Sequence, residues 1–204
     1  MTTTGPLVRL AQELAALPPS CGPVRLVGVD GHAGSGKSTF TERLAVLCEG
    51  AAVLHLDDLA SHQELFDWTA RLREQVLLPL ERGRSARYLP YDWDARRFGP
   101  ARELPAAPVV LIEGVGAGRA ALRPWLARLL WLDLGREESW RRGMRRDGAV
   151  QASFWQGWTA AEERHFAEDP SRPFADVLVR QTSEGYVLEP GPRGPDRGPD
   201  RHGA

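Results

Sequence analysis

Apolar positions along the chain fall into two rhythms. Short unbroken runs have the length of buried strands: Val24-Arg-Leu-Val-Gly-Val29, Ala51-Ala-Val-Leu-His-Leu56, Val109-Val-Leu-Ile112 and Leu129-Leu-Trp-Leu-Asp133. Between them the spacing turns helical. Leu7, Leu10, Leu14 and Leu17 predict a helix over 6–17, and Phe40, Leu44 and Leu47 predict one over 38–48. Further helices are expected from about Gln63 to Leu80, ahead of Leu129, over 136–147 and over 154–168. A last strand is expected at Asp176-Val-Leu-Val179, with Tyr186-Val-Leu188 as an added edge. Pro18 to Pro23 breaks the first helix, and Tyr88 to Pro100 has no period and reads as a loop. Strands that are apolar throughout, alternating with helices, predict an α/β fold: a parallel sheet with helices on both faces. Residues 1–189 are expected to form one domain, with 1–23 as an N-terminal helix and linker. Residues 190–204 repeat Gly-Pro-Asp-Arg without an apolar anchor and are expected to be disordered.

The first strand runs into Gly31-His-Ala-Gly-Ser-Gly-Lys-Ser38, which fits the phosphate-loop pattern G-x-x-x-x-G-K-[ST]. In a chain of this composition a chance match is on the order of one in a thousand. Lys37 is the only lysine among 26 Lys+Arg residues. A compact ammonium suits a tight backbone cradle, where a planar guanidinium fits poorly. The fold expected is therefore of the P-loop NTPase type, binding ATP through Gly31, Ala33, Gly34, Ser35, Gly36, Lys37, Ser38 and Thr39. Backbone N–H groups and the helix N-terminus would face the phosphates, Lys37 would reach the β- and γ-phosphates, and the Ser38 hydroxyl would ligate Mg²⁺.

Composition narrows the surroundings. At 204 residues and 42% hydrophobic, the chain is long enough for a proper core. A net charge of -1 gives no case for nucleic-acid or membrane partners. The first residues lack the basic region and apolar run of a signal peptide, and no stretch approaches a membrane span. Cys21 and Cys48 read as ordinary thiols, so a cytoplasmic setting is expected.

Ligands of such sheets bind at the carboxyl ends of the strands. The second strand ends on Asp57-Asp58 and the third on Glu113. Asp57 is assigned as the base that takes a proton from an attacking hydroxyl, shared with the metal, and Glu113 as a metal carboxylate. Asp58 is expected to cap a helix, and Asp30 is either in the metal's surroundings or a turn residue. Arg141, Arg142, Arg145 and Arg146 lie within six residues and form two basic rows on a helix. This small Arg-rich lid would stabilise a transferring phosphoryl group, with Arg142 and Arg146 as the acting pair. Trp155, Trp158, His165 and Phe166 are expected to pack the core or the lid, His55 to be a core histidine, and His32 to be a filler in the loop.

With these residues in hand, the chain resembles the uridine kinase family of nucleoside kinases over most of 24–180. Leu56-Asp57-Asp58-Leu59 resembles its D-x-[FY] segment, which puts the base at Asp57. Phe66-Asp67-Trp68 is similar to F-D-H-P, implying that Asp67 holds the ribose. Leu89-Pro-Tyr-Asp-Trp93 is similar to P-x-Y-D-F, implying that Tyr91 lines the nucleoside site, and Leu111-Ile-Glu-Gly114 resembles F-E-G, implying that Glu113 sits beside Mg²⁺. Trp140 to Asp147 resembles the lid. Where the family carries a base-reading histidine, this chain has Arg96. The loop also resembles that of the cytidylate kinases. The resemblance implies an ATP- and Mg²⁺-dependent kinase for a small molecule, foremost a pyrimidine nucleoside. A kinase for an anionic acceptor, read by Arg96 and Arg97, and a slow ATPase switch are the alternatives. Homo-oligomerisation stays open.

Overall fold

The computed structural model describes residues 5–193. A six-stranded sheet forms the frame. In chain order the strands are β1 (Arg25–Asp30), β2 (Ala52–His55), β3 (Ala86–Tyr88), β4 (Tyr91–Asp92), β5 (Arg97–Phe98), β6 (Arg102–Leu104), β7 (Val109–Glu113), β8 (Arg128–Leu132), β9 (Val177–Thr182) and β10 (Gly185–Pro190). The main sheet runs β10-β9-β8-β1-β7-β2, parallel except for the antiparallel β9–β10 hairpin. Its alternation explains the continuous apolar runs. Leu26, Val110, Ile112 and Leu129 face one core, whereas Val27, Val29, Leu111 and Leu130 face the other. Both faces are covered, so the middles of the central strands are apolar and their polar residues, such as Arg25, Asp30, His55 and Glu113, fall at the strand ends.

Helix α1 (Pro6–Ala16) and α2 (Lys37–Leu47) cover one face through Leu10, Leu14, Phe40 and Leu44, as their spacing predicts. The opposite face is covered by a helical rod, α3, spanning 69–81. It begins at Thr69 rather than at Gln63. The preceding residues close a turn in which the Ser61 hydroxyl accepts the Glu64 N–H at 3.1 Å, a local bond that competes with helix formation. The rod also contains a π turn at Arg73–Leu77 just ahead of Pro79. Proline cannot donate its missing N–H, and its ring crowds the carbonyl four residues back, so the ladder is re-spaced there.

Two expectations are corrected. The aperiodic stretch around 88–100 is not a plain loop: it forms two antiparallel ribbons, β3–β6 and β4–β5. Strands of two or three residues are too short to leave a period. The segment ahead of β8 holds only a 3₁₀ turn, Arg123–Trp125, with Pro124 at its start. Buried Asp30 pins the chain before it, accepting the N–H groups of Gly31, Gly116 and Gly118 at 2.7, 3.0 and 2.8 Å. Asp30 is thus a clamp between two loops. Past β8, α4 (Arg136–Asp147) and α5 (Ala152–Glu168) pack over the carboxyl end of the sheet. Beyond Arg193, the Gly-Pro-Asp-Arg tail lies outside the described residues.

Candidate active site

The loop from β1 to α2 bends where only glycine is comfortable. Gly34 and Gly36 have φ of 81° and 95°. Gly34 is needed twice over, because a Cβ there would lie 2.1 Å from the Ser139 carbonyl oxygen of α4. The Arg-rich helix therefore rests directly on the phosphate loop. A second glycine makes the next contact possible: a Cβ on Gly143 would lie 2.3 Å from Cη2 of Trp155. Loop, α4 and α5 are stacked through glycines in that order.

Lys37 is nearly buried, and its Nζ donates to the carbonyls of Gly31 and His32, both at 3.0 Å. The Ser38 hydroxyl donates to Glu113 Oε1 at 3.0 Å, and His55 Nδ1 lies 2.5 Å from the same oxygen. Burial alone would raise the Glu113 pKa. The His55 hydrogen bond, the Lys37 and His55 charges and Ser38 outweigh it and hold Glu113 below the ordinary carboxylate range. The same hydrogen bond raises His55, so this residue is a partner of Glu113 rather than the core histidine expected. By surface area Asp57 is exposed, but the surface it shows lines two cavities, with protein crowding the carboxyl. That crowding and the negative charge of Glu113 push its pKa up against the pull of Lys37 and His55.

One cavity of about 310 Å³ is lined by Ala33, Gly34, Gly36, Lys37, Ser38 and Thr39 of the loop and helix start together with Asp57, Glu113, Arg142 and Arg146, whereas Gly31 and the buried Ser35 lie behind it. Of the four clustered arginines, only the 142/146 row faces it. Arg141 pairs with Glu138, and Arg145 lines the outer flank of the helix. A second cavity of about 390 Å³ adjoins it and shares Ala33, Asp57, Arg146 and Trp158. Its walls are His62, Trp93, Phe154 and Trp155.

The cradle fits a phosphate chain: Gly34 and Gly36 carry no Cβ where the loop turns, and Lys37 sits inside it. The pair Ser38–Glu113 offers the hard oxygen ligands that Mg²⁺ takes from protein, the rest coming from phosphate and water. No group of three or more His, Cys, Asp and Glu suited to a metal occurs among the described residues.

The residues singled out by resemblance are placed differently. Tyr91 is buried behind the second cavity, its hydroxyl 3.0 Å from His62 Nδ1 and its ring edge-on to Trp93. Asp67 is exposed and lines neither cavity. Arg96 sits at φ 52° in the turn between β4 and β5, also away from both. Asp58 caps nothing: it accepts the Tyr88 hydroxyl at 3.0 Å and pairs with Arg102, tying the β3–β6 ribbon to the end of β2.

Glu162 escaped the sequence reading. It is fully buried, and its carboxylate receives His32 Nδ1 at 2.7 Å, Trp140 Nε1 at 3.0 Å, Trp158 Nε1 at 2.8 Å and the Ala33 N–H at 3.2 Å. One carboxylate thereby joins the phosphate loop, α4 and α5. Burial would raise its pKa, but the His32 bond, the Lys37 and His32 charges and the Trp158 N–H hold it low. His32 is no filler, since its ring also meets Trp131 and Phe166 edge-on. Only its place inside the loop hinted at this.

No protein-family model and no curated protein matches the chain. Among solved structures it is similar to a possible uridine kinase from Bacillus stearothermophilus, with TM-score 0.61 and 19% identity, covering 84% of this chain and 96% of that one. It is also similar to a candidate fructose transport system kinase from Silicibacter sp. TM1040, with TM-score 0.54, 18% identity and coverage of 82% and 91%. The YGR205w protein follows with TM-score 0.50, 11% identity and coverage of 82% and 90%. The chain therefore has a uridine kinase-like P-loop kinase fold.

Proposed function

We propose that this protein is an ATP-dependent kinase that moves the γ-phosphoryl group to a hydroxyl of a small molecule, foremost the 5′-hydroxyl of a pyrimidine nucleoside. The observation that carries the reading is the meeting of two cavities at Asp57 and Arg146, one lined by the phosphate loop and the other by aromatic rings. A donor phosphate in the first and an acceptor hydroxyl in the second would face each other across Asp57.

The proposed step is a single displacement. The acceptor oxygen forms a bond to the γ-phosphorus as the bond to the β–γ bridging oxygen breaks, and ADP leaves. Asp57 takes the hydroxyl proton. Burial and the Glu113 charge raise its pKa, so it accepts a proton more readily than a free aspartate. Lys37 turns from the loop carbonyls to the β- and γ-phosphates, and Arg142 and Arg146 offset charge on the transferring group. Bound Mg²⁺ would neutralise phosphate charge, held through Ser38 and Glu113 with Asp57 nearby. With a nucleotide held between them and the loop, α4 and α5 would limit the access of water and so idle hydrolysis. A small-molecule acceptor is supported by the kinases whose fold this chain shares. Among the described residues, no helix is long and apolar enough to cross a membrane.

The test is phosphoryl transfer from ATP–Mg²⁺ to uridine, cytidine, deoxynucleosides, nucleoside monophosphates and sugar acids, with hydrolysis alone as baseline. Turnover that rises sharply with a nucleoside supports the reading. Hydrolysis unaffected by any acceptor would replace it with a slow ATPase.

A further inference from the structure

The second cavity has a charge balance that selects among acceptors. Its aromatic walls are continuous: the ring centroids of His62 and Trp93 are 4.9 Å apart, Trp93 and Phe154 5.7 Å, and Phe154 and Trp158 5.7 Å. Three carboxylates line it, Asp57, Asp94 and Asp147, against one guanidinium, Arg146. That guanidinium is already engaged, because its Nε and Nη2 reach both oxygens of Asp147 at 2.6 and 3.1 Å. Asp147 in turn accepts Trp155 Nε1 at 3.1 Å. Asp94 is exposed on the edge of the cavity it helps to line, its backbone N–H bonded to Asp92 Oδ1 at 3.1 Å. Arg96 and Arg97, which would read an anion, line neither cavity.

We propose that this cavity is built for an alcohol bearing a flat ring that carries positive charge, takes the neutral ring less well, and turns away anionic acceptors. A ring in the cavity meets aromatic faces and edges, and a cation gains from both the π-faces and the Asp94 carboxylate. An anion would meet the Asp57 and Asp94 carboxylates, while the charge of Arg146 is already offset by Asp147. The inference rests on the kinase reading only in naming the occupant an acceptor; the charge preference belongs to the cavity.

A matched series tests it. Cytidine is neutral, its N3-methylated derivative carries a ring cation at neutral pH, and cytidine 3′-monophosphate is anionic with its 5′-hydroxyl free. Binding is measured by calorimetry with a non-hydrolysable ATP analogue and Mg²⁺ present, and transfer is measured separately with ATP. The expected result is the cation bound about 3- to 30-fold more tightly than cytidine, with the anion weakest. Asp94→Asn should bring the cation-to-neutral ratio toward one. Equal or weaker binding of the cation, tighter binding of the anion, or no binding by any of the three would overturn the proposal. Selective binding of the cation without transfer of phosphate would keep the charge preference and sink the kinase reading. Transfer to the anionic acceptor alone would do the reverse.

Discussion

Lys37, Asp57 and Glu113 could be chosen from the sequence because each sits at a strand end or in a motif whose chemistry is local. Replacing Lys37 by Ala should abolish phosphoryl transfer, and unchanged transfer would refute the loop assignment. Asp57→Asn should keep ATP binding but lower kcat by about 100-fold or more, the contribution of a positioned base; wild-type turnover would leave Asp57 a structural residue. Glu162 shows what could not be chosen. In Ala160-Ala-Glu-Glu-Arg-His165 it looks like any surface glutamate, and its importance lies in His32, 130 residues away. Its pKa is held below the ordinary 4.5, so its ionised form stabilises the fold above that value. The contribution fades as pH falls through the folded value. Glu162→Gln should cost about 1–3 kcal/mol at pH 7, because the N–H groups lose a charged acceptor. The gap from wild type in urea midpoints should narrow on acidification below about pH 4.5. A gap independent of pH would show that the charge is immaterial. The thiols are simpler. Burial first, with Glu81 nearby, pushes Cys21 up to about 12, and burial raises Cys48. Neither should be alkylated in the native protein at pH 8.

At the scale of elements, long strands and helices with an apolar face were legible, and short or bent ones were not. β1, β7 and α4 stand within a residue or so of where their patterns place them. The ribbons of 86–104 and the turn at Ser61–Glu64 are set by a few local hydrogen bonds and by tertiary contact, which no period records. Contact between elements was equally hidden. Gly143 reads in sequence as a weak point in a helix, yet it is the space into which Trp155 fits. Gly143→Ala should destabilise by about 1–3 kcal/mol, the range for overfilling a packed contact. It should also raise KM for ATP, because α4 would lift from Gly34. Gly157→Ala on α5 is the control: nothing lies within 4 Å of its added Cβ. Removing a helical glycine there should stabilise by about 0.5–1 kcal/mol. If both variants moved stability the same way, the stacking of loop, α4 and α5 would not be the reason for Gly143.

For the whole molecule, the phosphate loop, Asp57 and Glu113 all hang on the carboxyl edge of one sheet, so nucleotide binding and global stability should be linked. β1 delivers the phosphate loop, β2 delivers Asp57, β7 delivers Glu113, and α4 and α5 close over them. A ligand that binds only the folded chain stabilises it by about 2.7 kcal/mol at 100 times its Kd. For a domain of this size each kcal/mol moves Tm by about 2–4 °C. ATP with Mg²⁺ at that excess should therefore raise Tm by roughly 5–10 °C by these two relations. Lys37→Ala should unfold near the wild-type temperature without nucleotide and gain far less from it. Its ammonium is bonded to two loop carbonyls rather than to the core, so its loss should affect the ligand more than the fold. An equal shift in both proteins would place the nucleotide somewhere other than the loop. A Lys37→Ala chain that is already strongly destabilised alone would instead make the two carbonyl bonds a structural strut.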